Sequence, residues 1–349
     1  MMKQAVLELK DYAVSFFTPE GEVEAVRGVD LSVARGEILC LVGESGCGKS
    51  VLCKSLLKLL PSRPPHNATI KQGRVLLEGM DITHYTEKQM RALRGRDVSM
   101  IFQDPMLTLN PTIPVGKQII EAILKHSDMS RAAARERAIE MLELVGIPDP
   151  EQRLKLQPHF FSGGMRQRCV IAIALAMRPK LLLADEPTTA LDVTVETQIL
   201  DLLRELRDKT GVSIVFVSHD LGAVARIADR VAVMYAGKIV EIGTAEDIYY
   251  RPQHPYTWGL LSALPVFANP EEELYTIPGI PPSLLNPPPG DAFAERNAYA
   301  LAIDYEKMPP MMRVSDTHYA ATWLLDPRAP KVKPPVRLAE RSRSWRQKE

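Results

Sequence analysis

Gly43-Glu44-Ser45-Gly46-Cys47-Gly48-Lys49-Ser50 directly follows the apolar run Ile38-Leu39-Cys40-Leu41-Val42. The run has the length and composition of a buried strand, and the eight residues after it fit the pattern G-x-x-x-x-G-K-[S/T]. Glycines let such a loop wrap closely, so that its backbone N–H groups and the next helix N-terminus face phosphate oxygens. Lys49 can then reach the β- and γ-phosphates, the Ser50 hydroxyl can ligate Mg²⁺, and Val51 completes the phosphate-binding set. A chance glycine turn would not also place the lysine and hydroxyl at these offsets. The stretch reads as a nucleotide site.

Leu181-Leu182-Leu183-Ala184-Asp185-Glu186 is a second apolar run, ending in two carboxylates. Asp185 suits a Mg²⁺ shell, and Glu186 suits a general base that polarises an attacking water. Standing alone, the run would be an acidic turn after a core strand. It is preceded by Phe161-Ser162-Gly163-Gly164-Met165-Arg166-Gln167-Arg168 and followed by Thr189-Ala190-Leu191-Asp192. A further apolar strand, Ile214-Val215-Phe216-Val217, ends in Ser218-His219-Asp220. Val98-Ser99-Met100-Ile101-Phe102 reads as another strand, leading to Gln103.

In this order the segments resemble the ATP-binding cassette of ABC proteins: Walker A, a Q-loop at Gln103, the Ser-Gly-Gly signature, Walker B, D-loop and H-loop. Phe161 and Met165 depart from the commonest signature, while Ser162-Gly163-Gly164 is intact. The resemblance runs from the start of the chain to about Pro265. It implies an α/β fold, a P-loop NTPase cassette with a parallel core sheet, an antiparallel β subdomain and a helical subdomain at about 105–175. A C-terminal extension, 266–349, follows the cassette at 1–265.

The resemblance also assigns roles. Phe16 occupies the position whose ring stacks on adenine, with Phe17 or a plain core phenylalanine as the alternatives. Gln103 would touch Mg²⁺ or the attacking water. His219 would bond the γ-phosphate and hold water and Glu186 in line. Ser162, Gly163, Gly164 and Asp192 would complete the ATP site of an opposite cassette, so that each ATP is sandwiched between two subunits.

Lys+Arg and Asp+Glu both total 43 in 349 residues, which argues against broad electrostatic binding to nucleic acid. No run of about 18 apolar residues exists, and the start, Met1-Met2-Lys3-Gln4-Ala5-Val6, is unlike a signal peptide. The chain is expected on the cytoplasmic face of a membrane it does not cross. Three of the four cysteines, Cys40, Cys47 and Cys53, cluster around the loop. Shared metal ligation would dismantle both strand and loop, so reduced cysteines are expected. Cys47, inside the loop, is expected to react with alkylating reagents and to be shielded by ATP.

Between Ile113 and Pro158 the pattern turns helical. Ser130 can cap a helix with Ala134, Ala138, Met141, Leu142 and Val145 at helical spacing, closed by Gly146 and Pro148. Val6–Leu9, Leu31–Val33 and Gly73–Gly79 read as strands of the antiparallel layer. Val231–Met234 and Lys238–Glu241, joined through Ala236-Gly237, read as a hairpin.

Beyond the cassette, Tyr249-Tyr250-Arg251-Pro252-Gln253-His254-Pro255-Tyr256-Thr257 and Leu260–Pro265 resemble the ending of the peptide-import branch of ABC ATPases. The proline-rich stretches at Ile277–Ser283 and Pro287–Gly290 favour extended backbone, and read alone they are a linker. Many relatives carry four cysteines here, as ligands of an iron–sulfur cluster. Asp291, Asn297, Asp304 and Thr322 stand in their places, none can replace a thiolate on iron, and no cluster is expected. The tail from about Lys331 is expected to be mobile.

The resemblance thus implies a MgATP-hydrolysing subunit that drives an importer for oligopeptides or dipeptides. Its implied partners are a second ATPase in a heterodimer, two membrane-spanning permease subunits and an extracytoplasmic peptide-binding protein. Nickel, an oligosaccharide or another solute remains open as cargo, and a soluble ABC ATPase acting on nucleic acid or ribosomes is the other class.

Overall fold

The computed structural model describes residues 4–61, 67–189, 191–264 and 276–335. Three expectations fall partly outside them: the Ala190 of the D-loop, the boundary at Pro265, and the tail after residue 335. In chain order the first elements are β1 (Ala5–Thr18), β2 (Gly21–Ala34), β3 (Ile38–Val42), α1 (Lys49–Leu56), β4 (Asn67–Leu77) and β5 (Met80–Asp81). Then come α2 (Glu87–Leu93), β6 (Val98–Ile101), α3 (Pro105–Thr108), α4 (Val115–His126), α5 (Arg131–Leu144), α6 (Pro150–Arg153) and α7 (Gly163–Leu175). They are followed by β7 (Leu181–Asp185), α8 (Val193–Thr210), β8 (Ser213–Ser218), α9 (Leu221–Ile227), β9 (Arg230–Tyr235) and β10 (Lys238–Thr244). The last are α10 (Ala245–Tyr250), α11 (Pro255–Ser262), α12 (Ala302–Glu306), β11 (Met312–Arg313) and β12 (Tyr319–Ala320).

The chain folds into two compact units, neither of them continuous in sequence. The first draws on residues 4–8, 32–38 and 76–217. Its core is the parallel ladder β6–β7–β8, with Val98 opposite Leu181 and Leu181 opposite Ser213. All five residues of β7 are buried, as a strand covered on both faces requires. The expected helical region is α4, α5 and α7, packed on one another. Ser130 caps α5 by accepting the Ala133 N–H, and the stripe Ala134, Ala138, Met141 and Leu142 is buried. Burying each large apolar side chain there contributes about 1.5–3 kcal/mol. At the far end of α5, Arg168 Nη1 donates to Val145 O at 2.6 Å, satisfying a carbonyl that the helix leaves open.

The second unit draws on residues 9–31, 39–75 and 218–335. β1 and β2 are joined by only Pro19-Glu20, which makes them a hairpin, and β4 lies on the other side of β1. These strands are much longer than the short alternating runs suggested, because Tyr12, Val14 and Val26 continue the buried face. β3 pairs in parallel with β9 from Leu39 to Val42. β9 turns back into β10 through Ala236 (φ 43°) and Gly237 (φ 81°), as the sequence suggested. β10 then pairs with β12 of the C-terminal extension, and β12 with β11.

The proline-rich stretch has no regular structure, yet it is more than a linker. Leu284 O accepts the Glu24 N–H at 2.8 Å, and Pro278 O accepts Arg296 Nε at 2.8 Å. Prolines cannot donate to a ladder, so this stretch attaches through its carbonyls. Among the described residues no helix is long and apolar enough to cross a membrane.

Candidate functional site

The glycine loop sits in the second unit, between the fully buried β3 and the start of α1. Gly48 has φ +107°, and a Cβ there would lie 2.4 Å from Ala25 O, so no other residue fits. The loop is drawn around the lysine. Lys49, 4% exposed, donates from Nζ to Gly43 O at 2.7 Å and Glu44 O at 2.9 Å. The loop's own carbonyls thus take the place of water around its ammonium. Glu44 and Ser50 are half-buried, Val51 likewise, and Ser45 and Gly46 are exposed at the tip.

Cys47 points inward. It is 5% exposed, its Sγ lies 3.7 Å from Lys49 Nζ, and burial pushes its thiol above the ordinary range, against the pull of Lys49. The expected ready alkylation therefore does not fit the structure. The thiolate, which is the reactive species, is disfavoured, and reagents have little access.

Phe16 and Phe17 lie within β1, both half-buried, on opposite faces of the strand. Lys71 Nζ sits 5.2 Å from the Phe17 ring centroid, a cation–π contact that occupies that ring. His219 is exposed, between the end of β8 and Asp220, whose carboxylate caps α9 through the Gly222 and Ala223 N–H groups.

The carboxylates sit in the first unit. Asp185 closes β7 and is 1% exposed. Glu186 follows with φ +47°, a left-handed conformation that costs a non-glycine residue about 1–3 kcal/mol and is most often kept at functional sites. Three bonds hold it there. Its N–H donates to Val217 O at 3.0 Å, and its Oε2 accepts from Thr189 Oγ1 at 3.0 Å and from Gln103 Nε2 at 3.1 Å. The structure thus brings Gln103 and Glu186 together, and adds Thr189, whose role the sequence did not suggest.

Ser162 caps α7 by accepting the Met165 N–H, which puts Ser162-Gly163-Gly164 at a helix N-terminus. A Cβ on Gly164 would lie 2.6 Å from Val195 Cγ1 of α8, so the glycine permits this close helix approach. Asp192 caps α8 through Val195 N at 2.9 Å. That side chain therefore has a structural task beside any contact with nucleotide.

The four extension positions aligned with cysteines are all buried, and each oxygen caps a turn. Asp291 accepts from Phe293 N, Asn297 from Tyr299 N, Asp304 from Leu301 N and Thr322 from Leu324 N. Two residues that the sequence did not single out reach the loop from the C-terminal side. Tyr256 OH accepts the Glu44 N–H at 2.8 Å, and Arg296 pairs with the Glu44 carboxylate at 2.6 and 3.0 Å. Both lie in stretches that resemble the peptide branch, which was the available signal, but nothing local tied them to Glu44.

A lysine-bearing glycine loop between a parallel strand and a helix, in a fold with a buried strand that ends in Asp185 and is followed directly by Glu186, defines a P-loop nucleoside triphosphatase. Comparison with known proteins narrows the class. Residues 26–189 match the ABC transporter family, and residues 240–303 match the oligopeptide/dipeptide transporter C-terminal region. The oligopeptide transport ATP-binding protein OppD of Bacillus subtilis is 57% identical, over 97% of this chain and 94% of that protein. The dipeptide transport ATP-binding protein DppD of Lactococcus lactis subsp. cremoris is 53% identical, over 99% and 98%. A dimeric ATP-binding cassette in a post-hydrolysis state bound to ADP and Pi superposes with a TM-score of 0.60 at 25% identity, covering 68% of this chain and 98% of that one. The chain belongs to the ABC transporter family, as an ATP-binding subunit of its oligopeptide/dipeptide branch, and is an ATPase.

Proposed function

We propose that this subunit hydrolyses MgATP to drive uptake of oligopeptides or dipeptides through a membrane complex. The observation that carries the cargo is that similarity to peptide transport proteins continues past the cassette into residues 240–303. In this reading the loop Gly43–Val51 cradles the phosphates and Phe16 stacks on adenine, Phe17 being covered by Lys71. Glu186 is the general base. Its bonds to Thr189 and Gln103 hold the carboxylate in one orientation, the requirement for taking a proton from a positioned water. His219 positions the γ-phosphate.

The resemblance makes Ser50, Asp185 and Gln103 the Mg²⁺ ligand candidates. Their donors are a hydroxyl, a carboxylate and an amide oxygen, all hard oxygen ligands as Mg²⁺ prefers. The ion would neutralise phosphate charge. Gln103 donates to Glu186 through Nε2, so its amide oxygen is the atom that would serve as an ion ligand.

Ser162, Gly163, Gly164 and Asp192 would meet ATP held by a second cassette. Binding energy at that interface would close the pair, and hydrolysis with product release would reopen it. The full complex would add a second, different ATPase, two permease subunits and an extracytoplasmic binding protein, with this chain on the cytoplasmic face. The extension would be held by its capped turns and would take no iron–sulfur cluster, since two carboxylates, an amide and a hydroxyl do not substitute for thiolates.

The test is to tag the chain in its own cell, purify it from gently solubilised membranes, and identify its companions by mass spectrometry. Two multi-span proteins and a second ATPase are expected. Recovery from the soluble fraction with nucleic acid or ribosomes would overturn the transport reading.

A further inference from the structure

We infer that the C-terminal extension is a working part of the ATP site, because Arg296 neutralises and fixes Glu44 of the phosphate-binding loop. Glu44 poses an electrostatic problem. It is an acid in the loop that must hold a polyanion, and an unpaired carboxylate there would repel the phosphates. Arg296, 252 residues further along, solves it with a two-pronged pair: Nη1 to Oε2 at 2.6 Å and Nη2 to Oε1 at 3.0 Å. The side chains are only 6% and 25% exposed, so solvent screens the pair little.

Arg296 is itself locked. Nη1 also reaches Tyr235 OH at 3.1 Å, Nε donates to Pro278 O at 2.8 Å, and the guanidinium lies 5.8 and 6.0 Å from the Tyr235 and Phe293 ring centroids. Such a planar, fully engaged fork is a task for arginine that lysine does not reproduce.

The backbone of Glu44 carries the effect to the lysine. Its N–H donates to Tyr256 OH at 2.8 Å, and its C=O accepts Lys49 Nζ at 2.9 Å. One residue therefore joins Arg296, Tyr256 and Lys49. Arg296 and Tyr256 are positioning residues, acting on nucleotide through Glu44. The inference rests on the loop Gly43–Val51 holding the phosphates of ATP.

The test is a double-mutant cycle in the full chain: wild type, Arg296→Met, Glu44→Gln and the double variant. Each is titrated with a fluorescent ATP analogue at low and high salt and assayed for steady-state ATPase. Arg296→Met is expected to weaken binding about tenfold or more. The loss should shrink with added salt, as an unmasked Glu44 charge is screened. KM should rise, with kcat altered less than about twofold, the pattern of lost uniform binding.

The decisive arm is the double variant. Removing the carboxylate should restore most of the affinity, because the repulsion disappears with it. Wild-type affinity in Arg296→Met, or a double variant that binds as poorly as Arg296→Met alone, would overturn the inference in favour of a purely structural contact. Should Arg296→Met not fold, Arg296→Lys replaces it: intermediate affinity supports the inference and wild-type affinity overturns it. A Lys49→Ala variant that binds the analogue as well as wild type would remove the loop reading itself, and the inference with it.

Discussion

Glu186 shows how a single residue can be strained and restrained at once. Its φ of +47° is held by a backbone bond to Val217 and by side-chain bonds from Thr189 and Gln103. Replacing it with glutamine keeps an oxygen acceptor for both donors and removes only the basicity. Turnover of Glu186→Gln should fall at least about a hundredfold, while ATP stays bound in a cassette dimer that sedimentation can detect. Unchanged turnover would take Glu186 out of the role of base. The carboxylate was legible in the sequence because it abuts its own strand. Thr189 was not, since a threonine three residues after a glutamate carries no signal until the turn between them is seen.

Cys47 teaches the converse lesson. Its place in the loop is readable from sequence, but its exposure depends on which way the side chain turns. All four cysteines are free and buried. At neutral pH a thiol-specific chromogenic reagent should label the native chain slowly, and ATP should change the rate little. Unfolding in guanidinium should release all four thiols. One fast thiol in the native chain, blocked by ATP, would restore the accessible Cys47 that the sequence suggested.

At the scale of elements, local chemistry was legible and pairing over distance was not. Ser130 and Gly146 bound α5 as their types require, and the β9–β10 turn sits on Ala236-Gly237. Replacing Ser130 by alanine removes the cap and should cost about 1 kcal/mol by chemical denaturation, with ATPase intact. The pairing of β12 with β10, by contrast, joins strands more than seventy residues apart, and two-residue strands leave no period to detect.

The capped turns of the extension make a prediction about pH. Burial pushes the Asp291 carboxyl up to about 6, from an ordinary 3.8, against the Phe293 N–H bond. A folded-state value above the unfolded one means that the carboxyl's contribution to stability is present in full below about 4. It is lost as pH rises to about 6, by up to roughly 3 kcal/mol. Asp291→Asn keeps the oxygen acceptor and cannot ionise. Its stability relative to wild type should climb between pH 4 and 6 and then level off. A difference that is flat across that range would show that Asp291 ionises without penalty.

At the scale of the whole molecule, the chain after the cassette contributes particular buried side chains to the core. In the second unit Phe293 is 2% exposed, with its ring 5.3 Å from both Tyr235 and Tyr256 and 6.0 Å from His254. Tyr235 ends β9, and Tyr256 bonds the phosphate loop, so an aromatic side chain of the extension fills the core that supports the loop. Read from sequence, the proline-rich stretch and the residues C-terminal to it fall outside the cassette because composition changes there. Composition reports local backbone preference, however, and cannot report which distant ring a side chain packs against.

The distinction can be measured. If the extension were an appendage on a linker, truncating Phe293 would loosen only the appendage. If it completes the core, Phe293→Ala should cost about 3–5 kcal/mol, as other buried aromatic deletions do. That corresponds to a fall in thermal midpoint on the order of ten degrees, in a calorimetric transition that also involves the phosphate loop. Added ATP would then recover part of the loss, since ligand binding favours the folded state. Ile280→Ala, at a side chain 87% exposed in the same extension, is the control and should shift the midpoint by under about a degree or two. Equal, small shifts for both variants would mean that the extension folds apart from the nucleotide site. A large shift for Phe293 alone would make the aromatic cluster the joint through which the C-terminal sequence supports ATP binding.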